Sequence, residues 1–364
     1  MIQSLLDSEI KAKIYDGARI TPEEAKQLYY APLTELGELA DLRRRQRKGA
    51  AYDGRGNEIV TYIIDRNINY TNVCNVYCKF CAFMRTERDD DSYVLSPEQI
   101  GEKIKELEAI GGTQILMQGG HHPKLTIDYY LNLLHYIRTN HPTINIHGFS
   151  PPEFNHFAEV FNMSLEEVIT KFKEAGLGSI PGGGGEILVD KVRNSIAPLK
   201  CDTDHWLEVM RIAHRLGLAS SATMMFGHVE SVDDRIEHLR RLRDAQDETG
   251  GYTAFICWTF QSDGTKMRHI PPTGSHEYLR MQALGRIFLD NFDNIQSSWV
   301  TQGPKIGQVA LQYGANDYGS VMMEENVVSA AGTTFCLKKE EIEDLIRDAG
   351  YEAHRRNTWY QLLN

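Results

Sequence analysis

No stretch of the 364-residue chain approaches the ~18 uninterrupted apolar residues that cross a bilayer, and MIQSLLDSEIKAK at its start has neither the basic nor the apolar segment of a secretory signal. No membrane contact is expected, and the cytoplasm is the expected compartment. Positive charge is scarce as well. With 39 Lys and Arg against 50 Asp and Glu the formal net charge is −11, which argues against a nucleic-acid partner. The one basic run, RRRQRK from Arg43 to Lys48, reads as the solvated end of an exposed helix, where the dipole favours cations. Low-complexity segments and internal repeats are absent. Hydrophobic residues at 41% and charged residues at 24% are ordinary globular usage, so a folded chain with a sizeable core is expected.

Cysteine is also sparse, and it is unevenly spread. Of six, Cys74, Cys78 and Cys81 fall within eight residues of TNVCNVYCKFCAF (71–83), while Cys201, Cys257 and Cys336 stand apart and read as buried or incidental thiols. In a reducing compartment such a group points to metal or redox chemistry rather than to disulfides.

The chain divides into a helical N-terminal extension (1–58), a barrel (59–332) and a short C-terminal helical tail (333–364) with an extended end. Thr21, Pro22 and Glu24 in ITPEEAKQL have the spacing of a capping box. From residue 59, short apolar runs alternate with amphipathic segments. Strands are expected at 60–71, 113–120, 144–150, 177–183, 218–228, 252–260, 294–300 and 309–317, with Ser- or Asp-capped helices between many of them. Eight such units predict an α/β fold of the (β/α)8 TIM type; an open doubly wound sheet is the alternative. Polar and glycine-rich residues cluster after each run, among them Gly119-Gly120-His121-His122, Gly227 to Glu230, Thr301-Gln302 and Asn316-Asp317. In a barrel these loops meet at one mouth.

Three thiolates at C-x3-C-x2-C spacing can hold three corners of a 4Fe-4S cubane and leave the fourth iron open. Structural zinc would want a further ligand, and an electron-carrier cluster would want a fourth cysteine; neither lies near in sequence. The motif after the first strand, with Phe80 before the last cysteine, resembles the signature of the radical S-adenosylmethionine (SAM) enzymes. The resemblance implies one 4Fe-4S cluster on Cys74, Cys78 and Cys81, and SAM chelating the open iron. It further implies that reduction releases a 5'-deoxyadenosyl radical.

Other segments extend the likeness. MQGGHH sits where the superfamily has Gly-Gly-Glu beside the methionine part of SAM; Gly119 and Gly120 match, and His121 replaces the glutamate. MFGHVE resembles the segment that supports adenine, with Gly227 and Glu230 at matching positions. IPGGGGE lacks a dinucleotide fingerprint and a Walker Lys-Ser pair, and reads as a turn presenting Glu186 to the mouth.

In combination, the cysteine loop, GGTQILMQGGHHP, AGLGSIPGGGGEILVD, SSWVTQGPKIGQVALQYGANDYGS and MEENVVSAAG resemble the futalosine-route cyclases of menaquinone synthesis. Aminofutalosine synthases and deazaflavin-forming synthase subunits are the nearest alternatives. The implied substrate is dehypoxanthinyl futalosine, whose sugar C4' hydrogen is abstracted before the carbon adds to the benzoate ring. A low-potential donor such as flavodoxin or ferredoxin is the implied partner. Candidate bases are His228, Glu186 and Asp317; candidate substrate contacts are His121, Thr301, Gln302, Asn316 and Glu324.

Overall fold

Short apolar strands joined by helical crossovers can pair only in parallel. The computed structural model describes residues 7–332 and 335–363; the opening MIQSLL, Thr333 and Thr334 at the head of the tail, and Asn364 lie outside the described residues. It contains β1 (Ile59–Ile63), β2 (Asp65–Ile68), β3 (Gln114–Met117), β4 (Asn145–Gly148), β5 (Ser179–Ile180), β6 (Ala219–Phe226), β7 (Tyr252–Thr259), β8 (Asn294–Gln296), β9 (Asp317–Ser320) and β10 (Glu352–Arg355). All pair in parallel in the order β10-β1-β9-β8-β7-β6-β5-β4-β3-β2.

The expected first strand is one stave in two halves. β1 bonds to β9, and β2, one residue further on, bonds to β3. At the junction Val321 N donates to Ile63 O and Thr113 N to Ile64 O, so the two ends of the sheet meet on this stave. The result is the curled parallel barrel of the TIM type, with crossover helices outside.

The last stave corrects the sequence reading. Residues 309–316 are not a strand: Pro304–Val309 is α-helical and Ala310–Tyr313 is a 3-10 turn ending at Gly314. Pro at the start and Gly past the end are helix punctuation, whereas a short apolar run does not by itself separate helix from strand. The strand is Asp317–Ser320, so Asn316 and Asp317 stand at its N-terminal end, away from the mouth.

The N-terminal extension has helices Ser8–Tyr15, Pro22–Tyr29 and Leu33–Lys48, and Thr21 and Glu24 form the expected capping box. The basic run is partly a correction: Arg45, Gln46 and Arg47 are exposed as expected, but Arg43, Arg44 and Lys48 are buried. The Arg44 guanidinium donates to Asp41 and lies over the Tyr351 ring, and Lys48 Nζ donates to Asn294 Oδ1 at 3.0 Å. Packing of Leu33–Lys48 on Ser275–Phe288 turns that face inward. No helix among the described residues is long and apolar enough to cross a membrane.

The tail carries helix Lys339–Asp348 and then β10, which pairs with β1 along the edge that β3 does not cover. Beyond it Arg356 enters the bottom of the barrel. Its Nε and Nη2 donate to Asp317 at 2.6 and 2.9 Å, and both side chains are buried. Burial works against the cation, but the Asp317 carboxylate outweighs it and holds the guanidinium above its ordinary value. Because breaking one side strands a buried charge, Arg356→Ala is expected to cost about 3–5 kcal/mol in urea denaturation. The apolar pair Asp317→Leu with Arg356→Met should recover most of that loss.

Candidate active site

The cysteine loop leaves the top of the first stave and is tied at several points. Cys74 N donates to Arg85 O at 3.0 Å, Asn75 N to His121 O at 3.2 Å, and Lys79 N to Ile196 O at 2.8 Å. Gly120 is required by contact: a Cβ there would stand 2.1 Å from Val73 O and 2.9 Å from Cys74 Cβ. All six cysteines are free. Cys74, Cys78 and Cys81 share one small apolar cluster with Val76, Phe80, Ile196, Met225 and Trp258.

The donor set fits an iron-sulfur group. Burial pushes the Cys78 thiol up to about 12, against a lowering influence of Lys200, and raises Cys74 although the Val76 and His121 amides donate to its sulfur. Both thiols also feel Cys81, while the main influences on Cys201 are Arg193, Lys200, Glu186 and Asp202. Three thiols within electrostatic reach of one another, Cys78 buried and Cys74 and Cys81 half-buried, suit soft metal ligation with one position left open.

Lys200 lies beside them, a residue the sequence reading passed over. Its ammonium stands 5.1 Å from the Phe80 ring centroid and donates to Glu186 Oε1 at 2.9 Å. Arg193 approaches the other Glu186 oxygen at 3.7 Å. Glu186 therefore does reach the mouth, but as half of an ion pair.

Below the loop the barrel encloses a cavity of about 300 Å3. Its floor has Gln114, Arg356, Thr358 and Tyr360; its walls have Asn67, Gln118, Ser221, Thr223 and Gln296; its rim has Glu186, Trp258, Thr301 and Glu325. Alternate residues of the strands face in, as the pleat requires: Ser221 and Thr223 of β6; Ala254, Ile256 and Trp258 of β7. Trp258 belongs both to this wall and to the cysteine cluster, so the two sites adjoin.

Two carriers of chemistry here stood outside the candidate bases. Glu325 accepts from Asn67 Nδ2 and from the Val327 and Val328 amides, each at 2.7 Å, and burial still lifts its carboxyl above the ordinary range. His147 is driven down to about 3 by burial; its Nδ1 lies 2.7 Å from Ser179 Oγ and its Nε2 3.4 Å from Ser221 Oγ, so it faces the cavity neutral.

The other expected residues divide. Gly119 N donates to Glu153 Oε1 at 3.0 Å, so a carboxylate does support this loop, but from the neighbouring SPPE segment rather than from position 121. His121 is buried beside the His156 ring, centroids 5.0 Å apart, and burial lowers its basicity strongly. The Glu230 carboxylate accepts from Gly227 N at 2.6 Å, His228 N at 2.9 Å and Arg235 Nε at 2.8 Å, and so holds its own turn together. His228 donates from Nε2 to Met225 O and accepts at Nδ1 from Val229 N, which occupies both nitrogens. Thr301 lines the cavity, while Gln302 donates to Thr259 Oγ1 at 2.7 Å. Asn316 is buried between Arg286 and Asn294, and Asp317 is bound by Arg356 and Thr61; the strand correction carries both away from the mouth. Glu324 pairs with Arg66 and Lys103 outside the cavity.

Comparison with known proteins agrees with the arrangement. The radical SAM superfamily model matches residues 68–242 and the CofH/MqnC C-terminal region model matches residues 249–364. The cyclic dehypoxanthine futalosine synthase of Halalkalibacterium halodurans is 45% identical over 359 residues, 97% of this chain and 94% of that protein. The 5-amino-6-(D-ribitylamino)uracil–L-tyrosine 4-hydroxyphenyl transferase of Methanococcoides burtonii is 40% identical over 369 residues, 99% of this chain and all of that protein. The crystal structure of methylornithine synthase (PylB) superposes with a TM-score of 0.72 at 17% identity, over 95% of this chain and 97% of that one, a likeness of fold.

Two substitutions separate ligand loss from loop displacement. Cys78→Ala is expected to remove the broad absorbance near ~400 nm and the bound iron after anaerobic reconstitution. Gly120→Ala, which changes no ligand, should lower iron retention by pushing the loop off Val73 and Cys74, as measured by iron assay on protein of unchanged circular dichroism.

Proposed function

We propose an oxidative radical ring closure for this chain, which belongs to the radical SAM family in the branch that includes the cyclic dehypoxanthine futalosine synthases. Membership makes it an enzyme with a 4Fe-4S cluster and SAM as cofactors. Cys74, Cys78 and Cys81 would hold the cluster, with Phe80, Gly119, Gly120 and the Gly227–Glu230 turn around SAM. Bound there, the reduced cluster and SAM supply a 5'-deoxyadenosyl radical able to take a hydrogen atom.

The substrate assigned here is dehypoxanthinyl futalosine, a base-free sugar joined through a ketone-bearing chain to a benzoate. The observation that carries this assignment is the cavity adjoining the cysteine cluster at Trp258. Its size suits a small molecule, and its walls offer neutral amides and hydroxyls to sugar and ketone oxygens. The sugar would sit below the rim, and the benzoate carboxylate would point to the floor, where the Arg356 guanidinium stands. Such a clamp at one end and hydroxyl partners at the other hold the sugar carbon against the ring, and positioning supplies much of the rate.

Overall, two hydrogens leave the substrate: one as a hydrogen atom from sugar C4' to the deoxyadenosyl carbon, the other as a proton to a side-chain base and an electron that the oxidised cluster, held by Cys74, Cys78 and Cys81, would take back once the new bond has formed. Two buried carboxylates line the cavity with raised pKa and, among the described residues, no ion-pair partner: Asp65, held by Gln114 and Ser320 deep near the floor, and Glu325 near the rim. Glu325, on the side of the cysteine cluster, is taken as the proton acceptor, a stronger base than an exposed carboxylate. Glu186, His228 and Asp317 are each committed to the contacts described above. Chemistry on a different acceptor, as in the transferase relatives, is the second reading; their lower identity places it behind.

Anaerobically reconstituted, reduced protein given SAM and dehypoxanthinyl futalosine should form 5'-deoxyadenosine together with a product two hydrogens lighter than substrate. Absence of substrate-dependent deoxyadenosine overturns the assignment. Glu325→Gln should still form deoxyadenosine but lower ring-closed product on the order of 100-fold. Because the acceptor must be ionised, wild-type product formation should rise with pH through the raised carboxyl pKa. The variant should lose that limb.

A further inference from the structure

A line of hydrogen bonds begins at a buried carboxylate near the floor and ends in the cavity wall. Asp65, Gln114 and Asn145 stand side by side in register at the feet of β2, β3 and β4. Both Asp65 oxygens accept, one from Ser320 Oγ and the other from Gln114 Nε2 at 3.0 Å. With its nitrogen held there, Gln114 turns its amide oxygen to Thr358, whose Oγ1 donates to it at 2.6 Å. The Thr358 hydroxyl has then used its one hydrogen, so Asn145 must donate to it, as Nδ2 does at 2.8 Å. The second hydrogen of that amide goes to Ser179 Oγ at 3.0 Å. Each bond fixes the direction of the next.

Ser179 is fully buried, and its hydroxyl has one further partner, His147 Nδ1 at 2.7 Å. If Nδ1 carried the hydrogen, the Ser179 hydrogen would be stranded without an acceptor, a costly state for a buried group. Ser179 therefore donates, Nδ1 accepts, and the neutral imidazole carries its hydrogen on Nε2. That nitrogen stands 3.4 Å from Ser221 Oγ, which accepts from Gly182 N at 3.1 Å. A protonated Nε2 cannot take the Ser221 hydrogen, and half-buried Ser221 lines the cavity, so its O–H turns inward as well.

Resting on the reading above, we propose that His147 Nε2–H and Ser221 O–H together hold the ketone oxygen of the substrate. Two donors 3.4 Å apart can converge on one acceptor. A ketone oxygen accepts twice and donates nothing, whereas a sugar hydroxyl would also seek an acceptor, and a carboxylate belongs with the guanidinium. Depth agrees with the assignment. His147 is two residues along β4 from Asn145, whose amide meets floor residue Thr358, so the pair stands about 7 Å above the floor and below the rim. The chain joining benzoate to sugar would run there. Pinning its carbonyl restricts rotation about the link and keeps the sugar carbon against the ring. Asn145 and Ser179 do not line the cavity; they are positioning residues that set the imidazole tautomer.

Isotope-edited infrared spectroscopy tests the contact, with dehypoxanthinyl futalosine labelled at the ketone carbon and bound to cluster-loaded, unreduced enzyme. The ketone band should lie lower in the wild type than in His147→Phe or Ser221→Ala, and each variant should raise KM on the order of 10-fold. Ser179→Ala and Asn145→Asp should move the band in the same direction without altering the cavity lining. In nitrogen NMR of histidine-labelled protein, the wild-type His147 ring should be the Nε2–H form, and Asn145→Asp, which offers Ser179 an acceptor, should switch it to the Nδ1–H form. A ketone band at one position in the wild type and every variant overturns the contact. So does a response confined to substrate labelled in the carboxylate, which assigns the pair to the other end of the molecule. A wild-type ring protonated on Nδ1 overturns the relay. Failure of the wild type to close the ring strikes the proposed reaction, while the tautomer is still read on the protein alone.

Discussion

Residues 59–68 must satisfy hydrogen bonds on both edges, and most of the site follows from how they do so. The lower half bonds to β9 and leaves its other edge to β10, while the upper half bonds to β3. Unpaired N–H and C=O groups inside a barrel are costly, so β10 covers backbone that would otherwise be stranded. Because β10 runs parallel to β1, the chain leaves it heading into the barrel. Arg356, Thr358 and Tyr360 thereby become the cavity floor. A guanidinium brought to that depth needs a carboxylate, and Asp317, at the lower end of the next stave, supplies it. A residue that sequence position offered for catalysis is thus used in seating the floor.

The upper half of the same stave aims the chain at the mouth, where charge is handled differently. The ions at the rim are matched before any ligand arrives: Glu186 with Lys200 and Arg193, Glu230 with Arg235. The inward faces of the walls carry amides, hydroxyls and a neutral imidazole. Such groups hydrogen-bond a substrate without large desolvation penalties. Glu325 and Asp65 are the exceptions, carboxylates held by neutral donors: Asn67 and two backbone amides for Glu325, Gln114 and Ser320 for Asp65.

Much of this was legible in the sequence. Seven of the eight expected staves appear where apolar runs follow capped helices, and the three clustered cysteines come together in one apolar cluster. The eighth failed because VALQYGAND has the composition of a strand, while the decisive marks, Pro304 and Gly314, lie at its edges. That error displaced Asn316 and Asp317 by the length of a strand. The basic run was misread at half its positions because helix dipole and charge describe an isolated helix, and only tertiary packing shows that Arg43, Arg44 and Lys48 face inward. Lys200 carries no local motif, and its proximity to Phe80 and Glu186 arises from loops distant in sequence. Glu325 was inside a quoted segment beside the equally acidic Glu324; which of two adjacent carboxylates turns inward depends on a partner, Asn67, that is 258 residues away.

The cysteine loop also separates two requirements that oppose each other. Hydrogen abstraction and ring closure gain from a site that excludes water, because a carbon radical is quenched by unintended donors and its rate depends on fixed contact. Electron delivery needs the opposite, an approach from solvent. In the eight-residue loop the cysteines pack inward with Val76 and Phe80, while Asn75, Tyr77 and Lys79 are exposed. Tyr77 adopts φ +56, a backbone state that few non-glycine residues accept, and that twist lies immediately before buried Cys78. Strain at this position is therefore coupled to the alternation of inward thiol and outward side chain. The loop therefore turns an exposed face to solvent while its thiols sit against the Trp258 wall of the cavity, so the same short segment borders both surroundings.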